Sequence, residues 1–263
     1  MSRAVLVDLV RCMGCRACQV ACKSWNDKKA ELTQCLGCYD NPPGFSYNTW
    51  SLIQFNEVEY QGQLHWVFTK RQCMHCEHPG CASVCPVSAW EKTAEGPVIY
   101  HPHRCIGCRN CQYGCPFGVP SYNWDAVLGL VNKCTFCTDR ADEGYEPACV
   151  KVCPTDALEM GERSQLIAEA YRRFDRFPDR YYHHIYGEKE AGGTTWLYIS
   201  PIPFDLLGFP DVGTAPVTEE AVTVMNGTPV TIVAAVAALS GLYWLTKRKE
   251  QVAEHKSGSE EGK

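Results

Sequence analysis

The sequence predicts an α+β protein of short strands and helices strung between cysteine runs, closed by one long apolar helix. Three observations carry that reading. Sixteen of the eighteen cysteines among 263 residues fall into four runs dominated by C-x₂-C spacing. Stretches of strand length lie between the runs, and an amphipathic stretch of helix length follows them. Residues 228–246, TPVTIVAAVAALSGLYWLT, carry no charge.

One run organises the rest. Cys105-Ile-Gly-Cys108-Arg-Asn-Cys111-Gln-Tyr-Gly-Cys115-Pro116 places three cysteines three residues apart, a fourth after a three-residue gap, and then proline. That is the spacing with which bacterial two-cluster ferredoxins ligate iron–sulfur cubanes. The close triplet presents three sulfurs to one cluster, and the displaced fourth ligates a neighbour. Such a run requires a partner run. The first run, Cys12, Cys15, Cys18 and Cys22, keeps the spacing, with Lys23 where proline is usual. The second, Cys73, Cys76, Cys81 and Cys85 before Pro86, has its middle gap enlarged by Pro79 and Gly80. The fourth, Cys134, Cys137, Cys149 and Cys153 before Pro154, opens that gap to eleven residues in a polar loop around 139–147.

Sixteen thiolates supply four ligands to each of four cubanes. No ligand is missing and no tryptophan or aspartate takes a ligand position, so four 4Fe–4S clusters are expected rather than a mixture with three-iron centres. Zinc knuckles pair C-x₂-C motifs but lack three cysteines in a row with a displaced fourth before proline. His75 and His78 lie inside the second run; with the ligand set full, they are expected at the surface or behind the ligands. Cys35 and Cys38 stand outside the count, and free thiols, a local disulfide and a metal bridge shared with another subunit are all open for them.

Taken in order, Met1–Asp8 has neither an apolar signal core nor a small-residue cleavage site, so no secretory signal is expected there. Val5 and Val7, with Leu6 and Leu9 around them, predict a short strand into the first run. Residues 23–72 form an insertion with a turn at Tyr39–Gly44 and strands near Trp50–Val58 and Leu64–Phe68. After Cys153, Gly161–Phe174 reads as an amphipathic helix with Ser164 as N-cap and Leu166, Ile167, Ala170, Tyr171 and Phe174 on one face. An irregular stretch, a short apolar strand at Trp196–Ile199 and a proline-rich segment to Pro210 are expected to lie as an extended arm. The uncharged stretch 228–246 is long enough to cross a bilayer, with Pro229 in its first turn, Tyr243 and Trp244 at one end and Lys247, Arg248 and Lys249 directly after. The charged tail 250–263 is expected to be disordered.

A net charge of −5 gives no reason to expect nucleic acid. There is no nucleophile–base constellation and no glycine-rich phosphate loop at a strand–helix turn. With every iron fully ligated, no site is left for a substrate. The reading is an electron carrier, not an enzyme by itself.

The four runs, in this order and with these gaps, resemble the four-cluster iron–sulfur subunits of membrane-bound molybdenum or tungsten oxidoreductases and nickel–iron hydrogenases. Cys12–Cys22, Ser24–Asp27, Tyr39–Pro42, Trp50–Glu59 and Glu146–Lys151 resemble the beta subunit of the membrane-bound formate dehydrogenase. Gln72–Cys76, Val84–Ala89 and Tyr186–Glu190 look closer to the membrane-anchored hydrogenase iron–sulfur subunit. The resemblance implies two ferredoxin-like dicluster modules plus a single C-terminal transmembrane helix. Residues 1–160 would hold both modules: outer runs in 1–34 and 128–160, inner runs in 69–127, the insertion in 23–72. Residues 161–227 would follow as helix and arm, 228–246 as the span and 247–263 as a cytoplasmic tail.

The pairing it implies joins outer run to outer run. One cluster takes Cys12, Cys15, Cys18 and Cys153, and its mate Cys22, Cys134, Cys137 and Cys149. Another takes Cys73, Cys76, Cys81 and Cys115, and its mate Cys85, Cys105, Cys108 and Cys111. The implied role is to pass electrons from a catalytic subunit, a molybdopterin formate dehydrogenase, to a cytochrome b-like quinone-reducing subunit in the membrane. The alternative partner is a nickel–iron hydrogenase or a polysulfide or thiosulfate reductase. By the positive-inside rule the tail is cytoplasmic, which places the cluster-bearing body on the outer, periplasmic face of the cell membrane.

Overall fold

The computed structural model describes residues 2–34, 37, 39–127 and 129–260, and the chain divides into two units, one reaching Thr218 and one beginning at Glu219. In the first unit, β1 (Arg3–Asp8) leads into the first run, and α1 (Ala17–Trp25) carries Cys18 and Cys22. The insertion folds as a hairpin of β2 (Ser51–Tyr60) and β3 (Gln63–Gln72), paired antiparallel over its whole length. Its two-residue turn is Gln61 and Gly62, both at positive φ, the conformation that keeps the strand twist through a tight hairpin.

The inner runs sit among smaller pieces. These are α2 (Gly80–Ser83), the two-stranded β4 (Trp90–Lys92) and β5 (Val98–Tyr100), α3 (Asn110–Tyr113), and the two-stranded β6 (Ser121–Tyr122) and β7 (Val131–Asn132). The fourth run spans α4 (Thr138–Asp142) and α5 (Ala148–Lys151). Then come β8 (Leu158–Glu162), α6 (Arg163–Arg176), β9 (Tyr182–Tyr186) and β10 (Trp196–Ser200).

A four-stranded sheet of order β8–β1–β10–β9 backs the cysteine core, with β1 parallel to β10 and the outer pairs antiparallel. Strand alternation sends Ala4 and Leu6 to one face, where they pack with Leu197, Ile199 and the Leu166, Ala170 and Phe174 stripe of α6. Val5 and Val7 face the other way and join Trp196, Tyr198, Phe136, Cys18 and Cys149. Each large apolar side chain so buried contributes about 1.5–3 kcal/mol. The sheet therefore separates a helix layer from the cysteine core.

Several expectations need correction. The segment expected as an extended arm supplies two strands of this sheet, and every residue of β10 is buried. A short apolar run covered on both faces has no alternation to announce it as a sheet centre. Ser164 is not a cap: α6 starts at Arg163 straight out of β8, the preceding residue is Glu162, and no side chain caps the first turn. Instead the Arg163 backbone N–H donates to the Ser2 carbonyl at 3.0 Å. Tyr171 is about half exposed, so the buried stripe is narrower than expected and includes Arg173.

The second unit is one helix, α7 (Thr218–Glu260), whose segment Gly227–Lys249 is apolar and long enough to span a bilayer. The helix begins eleven residues before Pro229, which is therefore interior rather than in the first turn. It also continues to Glu260, where disorder was expected. Gln, Ala, Glu and Lys in 250–256 are good helix formers that extend a helix already nucleated upstream. Cys35 and Cys38 lie outside the described residues.

Candidate metal centres

All four runs build the same corner. The residue before the second cysteine takes left-handed backbone in each: Gly14 at φ 68°, His75 at 48°, Gly107 at 69° and Phe136 at 61°. That conformation turns a backbone N–H toward the first cysteine, so the amides of His75, Gly107 and Phe136 each donate to Sγ of Cys73, Cys105 and Cys134 at 3.4 Å. Glycine serves this corner in runs one and three. A Cβ on Gly107 would stand 2.9 Å from the Gly129 carbonyl oxygen.

The cysteines gather in four groups. Cys12, Cys15, Cys18 and Cys153 line one cavity, and Cys22, Cys134, Cys137 and Cys149 line a second. Cys73, Cys76, Cys81 and Cys115 line a third. Around Cys111, the neighbouring sulfurs are Cys105, Cys108 and Cys85, the fourth set. In each group one cysteine is the displaced fourth of another run.

Neighbouring sets touch in sequence. Cys18 of the first lies beside Cys149 of the second. Cys134 of the second packs with Cys73 of the third, and Cys81 of the third with Cys111 of the fourth. The four sets thus form a row. Among the described cysteines only Cys15 and Cys108 are exposed, and they belong to the two end sets.

Burial opposes bare thiolates in the row. Desolvation pushes the thiols of Cys18, Cys22 and Cys81 up to about 12, with neighbouring sulfurs adding to the rise. Two ammonium groups work against it. Lys70 lines the first and second cavities alike. It is buried, donates to Ser51 Oγ at 2.9 Å and Gln72 Oε1 at 2.8 Å, and lies 4.6 Å from the Trp196 ring centre. Lys133 lines the third cavity, donates to the Val98 and Cys134 carbonyls, and lies 5.1 Å from the Trp90 ring centre. Burial alone favours neutral amines, yet the sulfurs of Cys149 and Cys18 around Lys70, and of Cys73 and Cys81 around Lys133, hold both above the usual lysine range.

The residues fit iron–sulfur clusters on three counts. Neither Lys70 nor Lys133 makes an ion pair with a carboxylate among the described residues, so each buried cation needs its counter-charge in the cavities it lines. Among the buried donors without a protein partner are two on cavity-lining residues, His75 Nε2 at the third cavity and Trp196 Nε1 at the second. And among the described residues no three His, Cys, Asp or Glu side chains converge closely enough to hold a single metal ion, so these rings are spaced for a larger group. An anionic cluster with acceptor sulfurs answers all three.

Of the two histidines in the second run, His78 is exposed and His75 is fully buried. Lys70, Lys133 and Trp196 are contributors that sequence reasoning missed. Lys70 and Lys133 do stand three and one residues ahead of a run, a weak signal. Aligning the four corners would have marked His75 more clearly, because it stands where runs one and three carry glycine.

The insertion is tied to the row's first end. Arg16, beside Cys15, stacks 4.7 Å from the Phe55 ring centre and donates to the Tyr39 carbonyl. The loop of the fourth run contains α4, and its Asp139 accepts from Trp25 Nε1 at 2.7 Å.

Comparison with known proteins agrees with this geometry. Two family models, each described as a 4Fe-4S dicluster domain, match residues 11–89 and 64–163. A protein of Nitratidesulfovibrio vulgaris is 38% identical over 96% of this chain and 69% of its own length. The nitrate-inducible formate dehydrogenase iron-sulfur subunit of Escherichia coli K12 is 43% identical over 74% of this chain and 67% of its own. The hydrogenase-2 operon protein HybA of Escherichia coli O157:H7 is 31% identical over 98% of this chain and 88% of its own. With cysteine sets, fold and relatives in agreement, the chain belongs to the family of electron-transferring iron–sulfur subunits with paired 4Fe–4S dicluster modules, the family of the formate dehydrogenase iron-sulfur subunits.

Proposed function

We propose that this chain conducts electrons along a row of four 4Fe–4S clusters, without a reaction of its own, from a catalytic subunit to a cytochrome b-like quinone-reducing subunit in the membrane. The observation that carries the reading is the contiguity of the four cysteine sets, buried through the middle and exposed at Cys15 and Cys108. When bound, a cubane takes up and returns single electrons while keeping its four thiolates. The chain's own part is to hold the ligand sets side by side, exclude water from the middle two and supply buried positive charge beside them. The outer runs form one module and the inner runs the other, joined where Cys134 meets Cys73.

The catalytic partner in this reading is a molybdenum or tungsten formate dehydrogenase, docked on the insertion at the Cys15 end. The 43% identity to the formate dehydrogenase subunit and the Trp25–Glu59 motifs favour it. The Cys108 end then faces the quinone-reducing subunit. Residues 228–246 cross the cell membrane once; Lys247, Arg248 and Lys249 keep the tail cytoplasmic and the body periplasmic. Isolation of the complex from membranes tests the partner. We expect molybdenum or tungsten in the large subunit and quinone reduction by formate. A complex containing nickel without either metal, and reducing quinone with hydrogen but not formate, contradicts it.

A further inference from the structure

The corner residue of the second run breaks the pattern of the first and third. His75 holds left-handed backbone where Gly14 and Gly107 pay no steric cost, so its Cβ crowds the backbone that glycine leaves open. Its side chain is not left at the surface to relieve crowding. It is fully buried and packs edge-on to Phe136, the corner residue of the fourth run, with ring centres 5.2 Å apart. The two corners meet where Cys73 and Cys134 join the modules.

The hydrogen bonds fix the ring's proton. His75 Nδ1 accepts from the Val98 backbone N–H at 2.9 Å, so it carries no proton, and the neutral ring must bear its proton on Nε2. That N–H is buried without a protein partner, on a residue lining the cavity of Cys73, Cys76, Cys81 and Cys115. Left unmade, that hydrogen bond would cost the full desolvation of the group. The backbone is held as firmly: the His75 carbonyl accepts from Thr195 Oγ1 at 2.7 Å and Lys92 Nζ at 3.3 Å.

We propose that His75 donates an Nε2–H hydrogen bond to a sulfur of the cluster held by Cys73, Cys76, Cys81 and Cys115, and so favours that cluster's reduced state. This rests on the cluster reading above. Reduction adds one electron to the cluster and breaks no bond; the added negative charge strengthens every N–H···S bond to it. Removing the donor therefore weakens the reduced form more than the oxidised one. His75 acts as a positioning and tuning group and is not an iron ligand, since the cysteine set is complete without it.

The test uses the intact membrane complex with His75→Leu and His75→Asn, the latter keeping an amide donor and tolerating left-handed backbone. Redox titration followed by electron paramagnetic resonance should show one cluster of His75→Leu reduced about tenfold less readily at a given potential, with the other three within twofold. His75→Asn should fall between wild type and leucine. In ¹⁵N-histidine protein, pulsed resonance of the reduced clusters should show a weak nitrogen coupling absent from both variants, alongside a proton coupling that exchanges in deuterium oxide and is lost in His75→Leu. Four unchanged midpoints with the full iron content retained overturn the inference and leave the cluster reading intact. A strong coupling typical of iron-bound nitrogen also overturns it, by making His75 a ligand. Wild-type complex lacking a cluster at this set would overturn the cluster reading itself.

Discussion

At the scale of single residues, the ligand corners set the tightest limits. Gly107 combines a φ of 69° with a carbonyl oxygen 2.9 Å from where a Cβ would stand. Gly107→Ala should cost about 1–3 kcal/mol from strain and displacement together. Thermal unfolding of the loaded complex should show the loss, with the third run's cluster bleaching first. Unaltered stability would mean that the corner is not rigid. The corners also explain what sequence could reveal at this scale. Cysteine spacing announces ligands because covalent reach limits where sulfurs fall. Lys70 and Lys133 are invisible by the same logic: a lysine on or beside a strand ordinarily signals solvent, and only the fold shows them enclosed beside the sulfurs.

Among the elements, the joint between α6 and the sheet is electrostatic as well as apolar. Arg173, itself buried, donates to Asp8 Oδ2 at 3.0 Å and to both oxygens of Glu159 at 2.6 Å, and Tyr181 adds a 2.8 Å bond to Asp8. Arg173→Met leaves the buried Asp8 carboxylate without its close cation, held by Tyr181, the Val10 and Arg11 backbone N–H groups and the longer 3.6 Å contact to Arg11. A loss of about 3–5 kcal/mol in unfolding free energy is expected. Arg172→Ala, exposed on the same helix, should stay within about 0.5 kcal/mol. Equal effects from the two variants would show that the network is not a structural joint. Strand β1, the hairpin of the insertion and α6 were all legible from periodicity. What periodicity missed was the partnership: β10 pairs in parallel with β1 across almost the whole first unit, a non-local contact with no sequence signature. The span was legible by its lack of charge, whereas its true ends were not, because helix formers flank it on both sides.

For the whole molecule, topology and cluster count decide the account. In the proposed topology the residues after Lys247 are cytoplasmic and the cluster-bearing body lies on the outer face. An impermeant label applied to intact cells should reach the body and not the tail. A protected body with a reachable tail reverses the orientation without touching the row of cysteine sets. That row is the central claim, and iron and acid-labile sulfide in the purified complex measure it most directly. After subtraction of any iron in the partner subunits, the account predicts about sixteen iron and sixteen sulfide per chain, four of each for every four thiolates. It also predicts signals of reduced four-iron clusters and no three-iron signal in protein kept from oxygen. About eight iron per chain, or zinc in place of iron, would contradict it.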